Sequence, residues 1–154
     1  MNDWKSDRIG SAVRGENPTV LAKMKSGYAV IADPQFLPGY CVLLGFPQVN
    51  SLNDLTLEQR KYFLLDMSLL GDAISTVCKP IRVNYEILGN SDAFLHAHVI
   101  PRFDWEDEVI KKQPIWVYPK ENWSLEQYQF SEEKHGELKN LLSSVLEKLM
   151  KENY

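Results

Sequence analysis

The chain has 154 residues, a formal net charge of −4 and a hydrophobic share of 44%, which suits one compact domain able to bury a core without staples. This mild acidity excludes a general electrostatic attraction to polyanions, so no nucleic-acid partner is expected. No run approaches the roughly 20 apolar residues of a membrane span, and Asp3, Lys5 and Asp7 put charge where a secretory signal needs an apolar core, so no membrane partner is expected and the cytoplasm is the expected compartment.

The elements follow in chain order. An N-terminal segment, about residues 1–15, has no clear period. From Thr19 to Ile31 two apolar stretches flank Lys25-Ser26-Gly27, which reads as strand or short helix, turn, strand, ended by Asp33-Pro34. Tyr40 to Phe46 is a short apolar run bounded by turn residues and predicts a buried strand containing Cys41. Thr56-Leu57-Glu58-Gln59 is a capping box, so a helix is expected from there, with Phe63, Met67, Leu70, Ile74 and Val77 as its core stripe, ending before Pro80. Cys41 and Cys78, the only cysteines, lack zinc-ribbon spacing and are expected as reduced core thiols.

Two more strands are expected, Arg82–Leu88 and Phe94–Pro101, joined by a hairpin turn at Gly89-Asn90-Ser91-Asp92. A C-terminal loop and helix extension, about residues 103–154, follows. It holds an acidic loop with Trp105, a short strand over Pro114–Pro119, and a helix from about Ser131 with Leu138, Leu141, Val145 and Leu149 on one face. The tryptophans Trp105, Trp116 and Trp123 are expected as plain core first, with packing of a dimer or lining of the pocket as the alternatives. The pattern is α+β in a single domain spanning 1–154.

The chemistry concentrates in His96-Ala97-His98. Period two places both imidazoles on one face of a strand, about 7 Å apart along the backbone, together with Phe94 and Ile100. A lone buried histidine is commonly a satisfied core residue, whereas an adjacent pair must share hydrogen bonds and charge. On residues alone the pair reads equally as two nitrogen ligands of a zinc or iron site, with His135, Asp92 or Glu86 as candidate further ligands, and as a nucleophile with its helper.

The surrounding sequence resembles the histidine-triad family. Gly89-Asn90-Ser91 followed by Phe94-Leu95-His96-Ala97-His98-Val99-Ile100-Pro101-Arg102 is similar to the family's signature strand, and Pro38-Gly39-Tyr40-Cys41-Val42-Leu43 to the turn and strand upstream of it. The order matches from about Tyr28 to Arg102. The resemblance implies an antiparallel sheet of about five strands with two main helices, a homodimer, and a nucleotide substrate whose α-phosphoryl group passes to a histidine. It puts the nucleophile at His96 and the last triad position at His98. The first position is Phe94, so this chain carries two of the three histidines, and a phenyl ring neither donates nor accepts a hydrogen bond. By the same resemblance, Ser91 contacts the departing phosphate, Asn90 and Asn84 hold the phosphate end of the nucleotide, and Asp33 holds the ribose hydroxyls. Arg102 stays outside the catalytic set.

The expected function is a nucleotide hydrolase that cleaves a phosphoric anhydride or related bond at the α-phosphate of a nucleoside 5′-phosphate derivative, dinucleoside polyphosphates among them, through a nucleotidyl-histidine intermediate. No cofactor or resident metal is expected, although a divalent metal can arrive as part of the substrate complex. The alternatives are nucleotidyl transfer to another acceptor, a metal-dependent enzyme using His96 and His98, and a nucleotide-binding regulator with little activity.

Overall fold

The structure is a computed structural model and describes residues 3–154; residues 1 and 2 of the N-terminal segment lie outside the described residues. The unpatterned start of the chain contains a short helix, α1 (Arg8–Val13), capped by Asp7. Five strands follow with two long helices among them: β1 (Val20–Met24), β2 (Gly27–Ile31), β3 (Cys41–Gly45), α2 (Leu57–Cys78), β4 (Arg82–Glu86), β5 (His96–Arg102) and α3 (Glu132–Asn153). The strands form one sheet in the order β1-β2-β3-β5-β4, with every neighbouring pair antiparallel. The β1–β2 turn ends on Gly27 because a Cβ there would lie 1.9 Å from the Leu44 carbonyl oxygen.

The capping box at the start of α2 forms as the sequence predicts. The Thr56 hydroxyl accepts from the Gln59 amide at 3.2 Å and the Gln59 side chain accepts from the Thr56 amide at 2.9 Å, an arrangement worth about 0.5 to 2 kcal/mol. The helix stops at Lys79, which turns left-handed ahead of Pro80. Phe63, Leu70 and Ile74 are buried as expected, and Leu69 and Ala73 widen the stripe. In α3 the buried leucines are Leu142 and Leu146, with Leu138, Val145 and Leu149 packed beside them. Leu141, expected on this face, is instead 52% exposed; one residue of helix is about 100° of rotation, and 141 falls on the far side of a stripe centred on 142 and 146.

Helices α2 and α3 cover one face of the sheet. Against them lie Ala29, Ile31, Cys41, Leu43, Ala97 and Val99, the alternate positions of the three central strands. The opposite face carries Val30, Val42, Leu44, His96 and His98, so the histidine pair stands on the side away from the helices. Cys41 is fully buried and Cys78 half-buried, and neither is in a disulfide.

Three local expectations are corrected. The strand containing the histidines begins at His96 rather than Phe94, because the Leu95 amide goes to the Val49 carbonyl instead of the ladder; Gly89–Asp92 accordingly sits in a longer loop between β4 and β5. Residues 114–119 form a single 3-10 turn, Ile115–Val117, rather than a strand. Pro114 and Pro119 bracket that segment and supply no N–H, while the amides of Val117 and Tyr118 bond to the Pro114 and Ile115 carbonyls. The tryptophans are not plain core: Trp105 is 64% exposed and Trp116 43%. Among the described residues no helix is long and apolar enough to cross a membrane.

Candidate active site

One face of β5 carries a row of four side chains of three kinds: His96, His98, Ile100 and Arg102. The two histidines open onto a cavity of about 560 Å³ whose floor is Val30, Val42 and Leu44 and whose rim includes Asn90, Ser91, Asp92 and Phe94. Ile100 belongs to a second small core with Phe36, Leu37, Tyr40, Phe103 and Ile115, under the C-terminal extension. Arg102 is sealed in an ion pair.

His96 is buried, and its Nδ1 lies 2.7 Å from the backbone carbonyl of Phe94. A carbonyl oxygen only accepts, so Nδ1 carries the proton and Nε2 keeps its lone pair. The phenyl ring of Phe94 is 4.6 Å from the imidazole, centroid to centroid, and bounds its position. Phe94 thus holds His96 through its main chain, a contact that does not depend on which side chain position 94 carries.

His98 is oriented by a residue the sequence did not single out. The hydroxyl of Tyr40 lies 2.7 Å from Nδ1 of His98. Burial pushes the Tyr40 phenol above its ordinary range, so it stays protonated and donates to Nδ1, which places the His98 proton on Nε2. Burial first, and then the neighbouring His96, lower the His98 pKa to about 4, against a small opposing pull from Asp92. The two rings are 5.0 Å apart at an interplanar angle of 76°. The result is an acceptor nitrogen on one histidine beside a donor nitrogen on the next.

Two predictions arise here. Tyr40→Phe should lower turnover by about 10-fold while leaving the fold intact, because it frees the His98 ring to change tautomer; unchanged steady-state kinetics would show that the hydroxyl does nothing for His98. The second concerns pH. In the unfolded chain a histidine titrates near 6.5, and in the folded protein His98 titrates near 4, so the unfolded state binds the extra proton first. Stability contributed by neutral His98 is complete above about pH 6.5 and is lost as the pH falls towards 4. Thermal melts at pH 7 and pH 4.5 should therefore lie closer together in His98→Asn than in the native protein.

Asp33, just beyond β2, accepts two hydrogen bonds from Arg8, at 3.0 and 2.6 Å. Both line the cavity. Hydrogen bonding to Asp33 raises the Arg8 pKa further, against the cost of its partial burial. Arg8 comes from α1, in the segment without sequence periodicity, and nothing in the sequence marks it. Tyr40 did leave a signal: it precedes β3 on the same alternation as Val42, which pairs with His98.

Of the six residues proposed from the sequence, His96, His98, Ser91, Asn90 and Asp33 line this one cavity. Asn84 does not. It pairs across the ladder with Ile100, and its Oδ1 accepts from Nη1 of Arg102 at 3.0 Å, in a neighbouring cleft. Arg102 also donates to Glu106, at 2.9 Å through Nη2, and to the carbonyls of Ile110 and Gln113. With side-chain exposures of 3% and 0% this pair is buried. Burial alone would raise the Glu106 carboxyl, but Arg102, the Tyr118 hydroxyl and the Phe103 amide hold it below the usual carboxylate range. The third histidine, His135, sits at the start of α3, where its Nδ1 accepts the Ser131 amide. Among the described residues no group of three or more His, Cys, Asp or Glu side chains is arranged to hold a metal ion.

No family model matches the sequence, and no curated protein matches it. Solved structures do. A histidine triad protein from Marinobacter aquaeolei superposes with a TM-score of 0.70 at 21% identity, covering 84% of this chain and 89% of that one. The chain has the histidine-triad fold. A histidine triad protein from Sinorhizobium meliloti agrees, with a TM-score of 0.70 at 16% identity over 94% of this chain and 95% of the other. So does Plasmodium falciparum diadenosine triphosphate hydrolase, with a TM-score of 0.58 at 19% identity over 84% and 77%. The histidine-triad fold accounts for the five-stranded antiparallel sheet and the two main helices.

Proposed function

We propose that the protein is a nucleotide hydrolase in which His96 attacks the α-phosphorus of a nucleoside 5′-phosphate derivative. The observation that carries this reading is the 2.7 Å contact of His96 Nδ1 with the Phe94 carbonyl, which leaves the Nε2 lone pair on a histidine that lines the cavity. In the first half-reaction Nε2 bonds to phosphorus and the anhydride bond to the leaving phosphate breaks, with the electron pair departing on oxygen. The imidazole is then cationic, and the Phe94 carbonyl stabilises the charge through the Nδ1–H bond. Water next attacks phosphorus and gives up a proton to solvent, the phosphorus–nitrogen bond breaks with its electron pair returning to Nε2, and the mononucleotide leaves.

The other groups fit supporting roles. His98, neutral and protonated on Nε2, donates to a phosphoryl oxygen; Ser91 and Asn90 meet the departing phosphate. Asp33 takes the ribose hydroxyls on the lone pairs that Arg8 does not use. Asn84 acts through Arg102 rather than on phosphate. The likeness of fold to a diadenosine triphosphate hydrolase makes dinucleoside polyphosphates the first substrates to try. A screen of the purified protein against adenylated and guanylated compounds should show release of a nucleoside 5′-monophosphate; no release from any of them would overturn the reading.

The working unit in this reading is a homodimer. Strand β4 is a sheet edge, and Tyr85 in it and Ile81 just before it are 43% and 59% exposed, so its free backbone groups and these two apolar side chains are open to pairing with a second copy. Light scattering at micromolar protein should give twice the chain mass, and a concentration-independent monomer would contradict it.

A further inference from the structure

Between β5 and α3 the chain makes four 3-10 turns that bring Trp116 and Trp123 to the wall of the cavity. Trp116 is 43% exposed, yet its ring is fixed on several sides. Its centroid lies 5.2 Å from that of His98, at 84°, and it stacks on Trp123 at 5.7 Å and 15°. Its Nε1 donates to Glu86 Oε2 at 2.5 Å, from the residue that pairs with His98 across the ladder. Trp123 is backed in turn by Phe36, 4.9 Å away. The loop is nailed to the sheet below by the buried Arg102–Glu106 pair and by Tyr118, which donates to Glu106 and lies 5.0 Å from Phe36. An indole that stays this exposed gives up burial energy, and an indole this constrained has already lost its rotamer entropy before any ligand arrives.

We propose that Trp116, backed by Trp123, is a stacking platform for a planar aromatic ring of the substrate. This rests on the nucleotide reading above and names the part of the nucleotide that the tryptophans recognise. Phosphorus held against His96 Nε2 puts the groups attached to it beside His98, and Trp116 borders His98 directly. The aliphatic floor of Val30, Val42 and Leu44 offers contact but no ring to stack on. A pre-set platform costs little further ordering, and stacking a base on an aromatic side chain contributes about 5- to 150-fold in affinity. The ring has two possible sources in one substrate: the base of the nucleotidyl group that passes to His96, or a second base in the leaving group.

Binding to the His96→Ala protein separates these without any need for turnover. Calorimetry with AMP, ribose 5-phosphate, ATP and diadenosine triphosphate would be run on that protein with Trp116 intact, with Trp116→Leu and with Trp116→Phe. If the transferred base stacks, Trp116→Leu weakens AMP, ATP and diadenosine triphosphate by about 10-fold or more and leaves ribose 5-phosphate unchanged. If the leaving-group base stacks, only diadenosine triphosphate weakens. Trp116→Phe keeps a ring and loses only the N–H, so it should fall between the two, and it carries the test if the Leu variant misfolds in a thermal melt. Equal affinities across the three proteins for every ligand, or no binding of any aromatic nucleotide, would overturn the platform. Ring-dependent binding in a protein that hydrolyses nothing would leave the platform standing and remove the hydrolase.

Discussion

His96→Ala should abolish turnover, by about 1000-fold or more, while nucleotide affinity changes little and the thermal midpoint stays close to that of the native protein. The size of the effect follows from the role. A nucleophile that forms a bond to phosphorus has no substitute among its neighbours, since His98 presents a protonated Nε2 and its Nδ1 is taken by Tyr40 at 2.7 Å. His98→Ala removes a donor rather than the nucleophile, and loss of one such donor costs roughly 100- to 1000-fold. The difference between the two variants is therefore the informative quantity. Steady-state rates with calorimetric affinities for the same nucleotide would measure it, and full activity in His96→Ala would contradict the assignment.

The largest effect on stability should come from Glu106→Gln. It leaves the Arg102 guanidinium, 3% exposed, without its counter-charge, and breaking a buried pair from one side costs about 3 to 5 kcal/mol. For a chain of this length that is a fall in Tm of roughly 10 °C. Because Glu106 is held below the usual carboxylate range, the native protein keeps this contribution above the ordinary carboxyl pKa and loses it only as the pH falls through the lowered value in the folded state. Replacing both partners, as in Arg102→Met with Glu106→Leu, should recover much of the loss, since no unpaired charge then remains. A double variant as unstable as the single one would mean that the hydrogen bonds to the Ile110 and Gln113 carbonyls, and not the ion pair, hold the extension in place.

Local signals carried most of the fold. The capping box at Thr56 and the stripe of Phe63, Leu70 and Ile74 are written in neighbouring residues, and the alternation through His96 and His98 told which side chains share a face. What pairing and side-chain reach decide was harder to read. Nothing near Leu95 in sequence announces that its amide bonds to Val49, so the start of β5 was misplaced. Arg8 reaches Asp33 from 25 residues away, out of a segment with no period. Arg102 stays outside the catalytic set on sequence, but its actual partners were not legible there: Glu106 and carbonyls of the following loop consume it, a consequence of turns that local propensity does not encode. Trp116 and Trp123 are expected as core ahead of lining the pocket because large aromatics usually are; nothing local in the stretch Val117–Asn122 between them announces that the loop folds back onto the cavity. Phe94 taught the opposite lesson. Its side chain suggested a weakened site, while the contact that orients His96 comes from its main chain, on which the side chain has no bearing.

The most direct test is to trap the intermediate. Mixing the protein with a diadenosine polyphosphate, quenching during turnover in denaturant at alkaline pH, where a phosphorus–nitrogen bond survives, and mapping peptides by mass spectrometry should reveal an adenylyl group on His96 that is missing from the His96→Ala protein. An adenylyl group on His98, or steady turnover with no adduct on any histidine, would contradict His96 as the nucleophile.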